Sequence, residues 1–562
     1  MLTQSYVHGA STTPLIGETI GQNFDRAVET WATREALVVV HQDIRWTYAD
    51  RGEQVDTCAA GFVAMGLEPG DRVGIWSPNN SEWLVTQFAT AKAGLVLVNI
   101  NPAYRISELE YALNKVGVKM LIMASTFKTS DYVAMIREIA PELEQSEAGN
   151  LASQRLPHLK SVVLIGGEKV AGTYEFPEIA AAANEDSRER IEELSEILQF
   201  DDRINVQFTS GTTGFPKGAT LTHFNILNNG FFVGEAMKLT TEDRLCVPVP
   251  LYHCFGMVLG NLACLTHGAA IIYPDEAFEP LSVLKTVEAE KCTALHGVPT
   301  MFIAELEHPE FLNFDLATLR TGIMAGSPCP VEVMKRVIAE MNMDEVTIAY
   351  GMTETSPVSF QSSTDDPLDR RVSTVGQIMP HVEVKIIDEH GQIVPPGETG
   401  ELLTRGYSVM QGYWGDPDQS AQAIDIAGWM HTGDLATIDE EGYGNIVGRV
   451  KDMVIRGGEN VYPREIEEYL YGIESVQDVQ VFGVPDEKYG EELCAWITLN
   501  DGANLTEDAV KDFCKGQIAH YKIPRYVKFV EEFPMTVTGK VQKFVMREAM
   551  IKELGLSESE TA

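Results

Sequence analysis

The chain has 562 residues, more than one hydrophobic core can organise, so two or more domains are expected. Hydrophobic residues make up 44% of it, the composition of a globular protein and not of a disordered one. With 82 acidic against 43 basic residues and a net charge of −39, its surface repels phosphate backbones and anionic lipid, which argues against nucleic acid or a membrane surface as partner.

In chain order, short apolar, β-branched runs at 36–40, 72–76, 95–99, 120–123, 161–165, 269–273 and 345–349 read as strands. Amphipathic segments at 47–65 and 107–115 read as helices between them, so the class is α/β with a largely parallel sheet. The stretch 246–274 carries no Asp, Glu, Lys or Arg and is long enough to span a bilayer. Pro248, Pro250, His253, Asn261, His267 and Pro274 interrupt it, so it is expected to be a buried strand, a loop, a helix near 255–265 and a second strand at 269–273, with no integral membrane segment. Residues 381–404 alternate in polarity around Pro395-Pro396-Gly397, which predicts a hairpin and a β-rich subdomain. A boundary is expected near 450, before the mobile turn Arg456-Gly457-Gly458-Glu459-Asn460, giving domains 1–450 and 451–562. Beyond it, helices at 463–472 and 506–517 and strands at 476–484 and 493–499 make a small α+β module. The tail after Lys552 is acidic and expected to fray.

The eight cysteines are scattered without a CxxC pair, which predicts reduced thiols and no zinc site. Met1-Leu2-Thr3-Gln4-Ser5 lacks a basic region leading into an apolar run, and the C-terminus is not a peroxisomal address, so a cytoplasmic protein is expected.

Residues 209–218 read Thr209-Ser210-Gly211-Thr212-Thr213-Gly214-Phe215-Pro216-Lys217-Gly218, directly after the strand-like Ile204-Asn205-Val206-Gln207-Phe208. Glycines let the main chain approach a polyphosphate, hydroxyls and amides donate to it, and the lysine adds a point charge. This is not a Walker A loop, which would end in Gly-Lys-Ser/Thr. A flexible surface turn is the plainer alternative, and the length and order of the run stand against it. Four further runs follow strand-like or turn-like segments: Ala325-Gly326-Ser327-Pro328, Tyr350-Gly351-Met352-Thr353-Glu354, Trp429-Met430-His431-Thr432-Gly433-Asp434, and Pro534-Met535-Thr536-Val537-Thr538-Gly539-Lys540. Taken singly, the first is ordinary turn chemistry, the second a capped helix start, and the charges of the others solvated surface groups.

Together and in this order, these runs resemble the motifs of the adenylate-forming, acyl-activating enzymes: acyl-CoA synthetases, firefly-luciferase-like ligases and peptide-synthetase adenylation domains. The resemblance runs from about residue 24 to 547. It implies a large N-terminal AMP- and acyl-binding domain of layered α/β subdomains plus the β-rich subdomain, and a small mobile C-terminal domain. It also implies that the 209–218 run, with Thr209, Ser210, Gly211, Thr212, Thr213, Gly214 and Lys217, holds phosphates. Gly326, Ser327 and Pro328 would bind adenine, with Tyr350, Gly351 and Met352 beside it. Thr353 would contact the α-phosphate, and Glu354 with Thr209 would hold Mg²⁺, which favours hard oxygen ligands. Asp434 would accept from both ribose hydroxyls, with Arg449 close by.

By the same resemblance, Lys540 is the catalytic lysine that bridges carboxylate and phosphate oxygens. Lys451 and Asp452 form the hinge, Gly457, Gly458 and Glu459 line the pantetheine tunnel of coenzyme A, and His253 gates the acyl pocket. A lone histidine is more often structural. Candidate pocket residues are Tyr252, Phe255, Val298, Met301 and Met324, all apolar or aromatic. No acid stands between Cys246 and Pro274 to pair a substrate ammonium, so an α-amino acid is disfavoured. The 22 residues after Lys540 leave no room for a carrier-protein domain. The implied activity is ATP-dependent ligation of a small carboxylic acid to coenzyme A. A medium-chain fatty acid or 3-methylmercaptopropionate is the implied acid, and a luciferase-like oxidative ligase or a non-catalytic binder are the rivals. ATP and CoA are anions, so local cations, backbone N–H groups and Mg²⁺ must overcome the acidic field of the whole chain. The family likeness also allows a homodimer.

Overall fold

The computed structural model describes residues 2–209, 216–327, 329–449, 452–456, 459–486, 489–515, 517–536 and 540–556. Two large sheets stack with helices between and outside them. The first sheet has eight strands, in the order Tyr174–Glu175, Ser161–Ile165, Met120–Ala124, Arg72–Trp76, Val96–Asn99, Arg203–Thr209, Lys217–Thr222 and Gly412–Tyr413. The first six run parallel and the last two antiparallel. The second has nine, in the order Gln377–Ile378, Val358–Gln361, Glu345–Gly351, Thr321–Ala325, Ala294–Gly297, Arg244–Cys246, Ala270–Tyr273, Glu35–Val39 and Ile44–Thr47. Its middle six strands are parallel.

Burial on both faces explains why these strands read as unbroken apolar runs and not as alternating ones. Successive residues nonetheless serve different cores. Leu97, Ile122, Leu37, Ile271 and Ile323 face the space between the sheets, where helices Tyr48–Ala64, Ser81–Lys92 and His223–Ala236 contribute Phe62, Phe88 and Phe232. Val98, Leu121 and Met123 face the outer layer of the first sheet, and Ile272, Leu295 and Met324 that of the second.

The hairpin expected at 381–404 is Val382–Ile387 paired with Gly400–Gly406. It belongs to a five-stranded antiparallel sheet with Tyr6–His8, Met430–Ile438 and Gly444–Arg449. The C-terminal segment builds a separate five-stranded sheet from Val454–Arg456, Glu459–Val461, Val476–Asp486, Gly490–Leu499 and Tyr526–Phe529. Its own cores are centred on Val479, Val481 and Ile497 on one side and Phe482 and Met546 on the other. The turn expected at 456–460 joins two paired strands, with Arg456 opposite Glu459.

Four elements depart from expectation. The helix near 255–265 begins as a π-helix, Phe255–Leu262, and becomes α-helical only over Ala263–His267. Its main chain is engaged by buried side chains: Gln87 Nε2 donates to the Met257 carbonyl at 3.2 Å, and His296 Nε2 lies 3.0 Å from that of Leu259. The strand Lys217–Thr222, which returns after the glycine-rich run, carried no clear signal in the sequence. The segment 463–472 shortens to the helix Pro463–Leu470, and 506–517 to Glu507–Cys514.

Candidate active site

The site gathers at the carboxyl ends of the parallel strands, where open α/β sheets bind ligands. Strand Arg203–Thr209 ends at Thr209, and Lys217 opens the returning strand directly opposite it. Residues 210–215, with Ser210, Gly211, Thr212, Thr213 and Gly214, lie outside the described residues. The Lys217 ammonium sits 5.0 Å from the centroid of the Tyr413 ring.

Strand Glu345–Gly351 delivers Tyr350, and the short 3₁₀ turn Thr353–Thr355 follows it. Gly351 is obligatory, because a Cβ there would stand 1.7 Å from the Pro357 carbonyl oxygen. The main chain therefore turns tightly and presents Thr353 and Glu354 together. Glu354 is buried, and its Oε1 accepts from the Tyr413 hydroxyl at 2.9 Å and from Thr209 Oγ1 at 3.3 Å. Its carbonyl accepts from Met410 N–H at 2.9 Å. A carboxylate beside a hydroxyl is a fitting donor set for Mg²⁺. Among the described residues no group of three or more His, Cys, Asp and Glu could hold a metal alone. The remaining ligands would then be phosphate oxygens and water, the usual arrangement for Mg²⁺.

Asp434 and Arg449 face each other across the hairpin of Met430–Ile438 and Gly444–Arg449. Arg449 Nε lies 3.3 Å from Asp434 Oδ1, and the Tyr350 hydroxyl donates to Oδ2 at 2.6 Å. Burial raises the Asp434 carboxyl above its ordinary range, against the opposing pull of Arg449, Tyr350 and Lys540. Gly326, at φ +93°, turns the chain after strand Thr321–Ala325, and Ser327 follows half-buried. Pro328 lies outside the described residues.

Lys540 comes from the C-terminal module and reaches the same space. Its N–H donates to Thr536 Oγ1 at 3.1 Å and its carbonyl accepts from Thr536 N–H at 2.7 Å. Burial lowers the pKa of its ammonium, and Arg449 adds to the shift, while Cys254, Glu354 and Asp434 oppose it. His253 lies within electrostatic reach of the lysine. Burial, with the Lys540 charge, pushes its imidazole down to about 3, so it stays neutral. Its Nδ1 accepts from Phe255 N–H at 3.2 Å, which leaves the proton on Nε2. The Cys254 Sγ stands 3.7 Å from that Nδ1 and 4.0 Å from Thr353 Oγ1, and burial pushes its thiol up to about 12.

Of the pocket candidates, Phe255, Val298 and Met301 are buried in the core between the sheets, and Tyr252 is half-buried. Met324 is a correction: as the odd member of an alternating strand it points to the opposite face and packs in the outer core. Asp452 is exposed and donates its N–H to the Arg449 carbonyl at 3.1 Å. Lys451, Gly457 and Gly458 lie outside the described residues, and of Glu459 only the strand is described. Sequence reasoning missed Tyr413 and Cys254. Gly412-Tyr413-Trp414 has no pattern that marks it, whereas Cys254 adjoins His253 and could have been taken with it.

The description "AMP-binding enzyme" fits residues 24–414, and "AMP-binding enzyme C-terminal domain" fits residues 465–540. The chain therefore belongs to the AMP-binding enzyme family, within the adenylate-forming superfamily. Among its relatives is YngI of Bacillus subtilis (strain 168), an acyl-CoA synthetase by name, 51% identical over 97% of this chain and 100% of its own. The mitochondrial medium-chain acyl-CoA ligase ACSF2 of Homo sapiens is 45% identical over 98% of this chain and 91% of its own. Among solved structures, the anthranilate CoA ligase AuaEII in complex with anthranoyl-AMP superposes with a TM-score of 0.84 at 25% identity, covering 97% of this chain and 99% of its own.

Proposed function

We propose that this enzyme is an ATP-dependent, AMP-forming acid–CoA ligase. One observation carries the reading: Lys540, from the C-terminal module, stands within electrostatic reach of Glu354, Asp434 and Arg449 of the large module. A cation held in a half-buried site is what the first half-reaction needs. A carboxylate oxygen attacks the α-phosphorus of ATP, the bond to the bridging oxygen breaks, and pyrophosphate leaves. Negative charge crowds at that centre, and a fixed ammonium stabilises it. Asp434, already accepting from Tyr350, would take the ribose hydroxyls. Thr209 and Glu354 would hold Mg²⁺, which supplies charge neutralisation for the departing pyrophosphate.

In the second half-reaction the CoA sulfur, having lost its proton, attacks the acyl carbon and AMP leaves. A lysine at the reacting centre obstructs that approach, so Lys540 has to withdraw. The domain boundary near 450, with Lys451 and Asp452 as hinge, gives the C-terminal module a place to turn. Gly457, Gly458 and Glu459 would then line the thiol's path. The apolar walls of Phe255, Val298 and Met301, and the absence of acid across 246–274, support an aliphatic acid. We read it as a medium-chain fatty acid, a reading that the likeness to ACSF2 supports. The runner-up is 3-methylmercaptopropionate. The reading places the enzyme in the cytoplasm. Among the described residues no helix is long and apolar enough to cross a membrane.

AMP release with ATP, Mg²⁺ and CoA across acetate, butyrate, 3-methylmercaptopropionate, hexanoate, octanoate, palmitate, benzoate and coumarate tests the proposal. An optimum at hexanoate or octanoate supports it. A strong preference for 3-methylmercaptopropionate moves it to the runner-up. No CoA-dependent release with any acid rejects CoA as the acceptor.

A further inference from the structure

Two buried amides converge on one buried thioether between the strand that carries Thr209 and the π-helix Phe255–Leu262. Asn205 and Gln207 share a face of that strand with Thr209, and Gln207 stands opposite Asn99 on the neighbouring strand. Gln207 Nε2 donates to Met257 Sδ at 3.3 Å and to Asn205 Oδ1 at 2.9 Å. Asn99 Nδ2 donates to the same sulfur at 3.1 Å and to the Tyr252 carbonyl at 2.8 Å. Asn205 Nδ2 closes the set, donating to Asn99 Oδ1 at 2.9 Å and to the Leu97 carbonyl at 3.0 Å.

Each of the three amide nitrogens uses both of its hydrogens, so the set is complete on its donor side. The Tyr252 carbonyl can only accept, which fixes the way Asn99 faces. Asn99 in turn orients Asn205, and Asn205 orients Gln207. Burying amides in an apolar core has a desolvation cost that leucine would not incur. A fully satisfied polar network offsets that cost and holds one geometry. Here it holds both ends of the segment 252–257, at the Tyr252 carbonyl and at the Met257 sulfur, with His253 and Phe255 between them. Two residues beyond Gln207, Thr209 Oγ1 lies 3.3 Å from Glu354 Oε1. One strand face therefore addresses both Glu354 and the segment that carries His253 and Phe255.

We propose that Gln207 and Asn99 are positioning residues for the carboxylic acid. Through the Met257 thioether and the Tyr252 carbonyl they hold His253 and the Phe255 wall in place against the strand that ends in Thr209. Both act through the segment that they hold, not on the reacting atoms. This role rests on the acid–CoA ligase reading above.

The test is steady-state AMP release by the full-length enzyme with ATP, Mg²⁺, CoA and the acid that the wild type prefers in the panel above. Gln207→Leu, Met257→Leu and the double variant are compared with the wild type. Gln207→Leu should raise the KM for the acid about ten-fold and leave the KM for ATP within about two-fold. Met257→Leu removes the acceptor at nearly constant volume and should raise the acid KM in the same way. Both single variants break the same hydrogen bond, so the double variant should raise the acid KM by less than the product of their effects. A full product, equal rises for ATP and acid, or no rise in either single variant would overturn the role. Should Gln207→Leu fail to fold, Met257→Leu carries the test through the same comparison of acid with ATP. A wild type that releases no AMP with any acid would reject the ligase reading itself, and the role with it. A working wild type with unaltered variants rejects the role alone.

Discussion

Lys540 and Glu354 divide the work at the residue scale. The ammonium of Lys540 is useful only while protonated, yet burial lowers its pKa. The sign follows directly: the working cation is present at low pH and lost as pH rises through a value below the ordinary lysine figure of about 10.4. The kcat/KM for acyl-adenylate formation, which reports the free enzyme, should therefore fall on its alkaline side below that pH. An alkaline limb at or above it would contradict the desolvated lysine. Glu354 depends on a partner that no motif announced. Tyr413→Phe removes one hydrogen bond to a carboxylate, worth about 1.5–3 kcal/mol. The Mg²⁺ concentration needed for half-maximal adenylation should rise about ten-fold or more, while thioester formation from supplied acyl-AMP is unchanged. A Mg²⁺ titration that superposes on the wild type would show that Tyr413 does not position the carboxylate.

At the scale of elements, the π-helix Phe255–Leu262 is the part of the candidate site most dependent on distant support. Gln87 donates to the Met257 carbonyl and accepts from Asn261 Nδ2 at 2.8 Å, and the Tyr273 hydroxyl donates to Asn261 Oδ1 at 2.6 Å. Gln87→Leu leaves buried polar groups unpaired, which costs about 1–3 kcal/mol. Thermal unfolding should show that loss, and the KM for the acid should rise more than the KM for ATP. Equal changes in both would mean that the π-helix does not shape the acyl pocket. Its geometry was illegible in the sequence because 255–262, Asn261 apart, is apolar all round and has no helical face to count. The parallel strands were legible for the opposite reason: runs such as Arg72–Trp76 and Ser161–Ile165 are short, β-branched and bounded by turns. Motif residues at strand ends, Thr209 and Tyr350, could be placed from sequence because the strand precedes the motif. Met324 could not, since only the strand's phase decides which face a side chain takes, and neighbouring apolar residues hide that phase. Tyr413 meets Glu354 across 59 residues of sequence, a pairing that no local pattern encodes.

The whole molecule is built of a large N-terminal module and a small sheet-based C-terminal module. Arg464 Nη1 donates to the Ile446 carbonyl at 3.0 Å, and Lys540 projects into the site from the same side. The net charge of −39 acts on all of it through self-repulsion, which salt screens over a Debye length of about 10 Å at 0.1 M. The melting temperature should rise as NaCl is increased from about 0.05 to 1 M, and a fall would show that specific ion pairs outweigh that repulsion. The central claim is that Lys540 serves the first half-reaction and is withdrawn for the second. The measurement that tests it most directly compares wild type with Lys540→Ala in the two partial reactions, acyl-adenylate formation from acid and ATP, and CoA thioester formation from supplied acyl-AMP. The account predicts that the first is lost by about two orders of magnitude or more, as for a removed transition-state donor, while the second keeps its wild-type rate. Equal loss in both steps would contradict it.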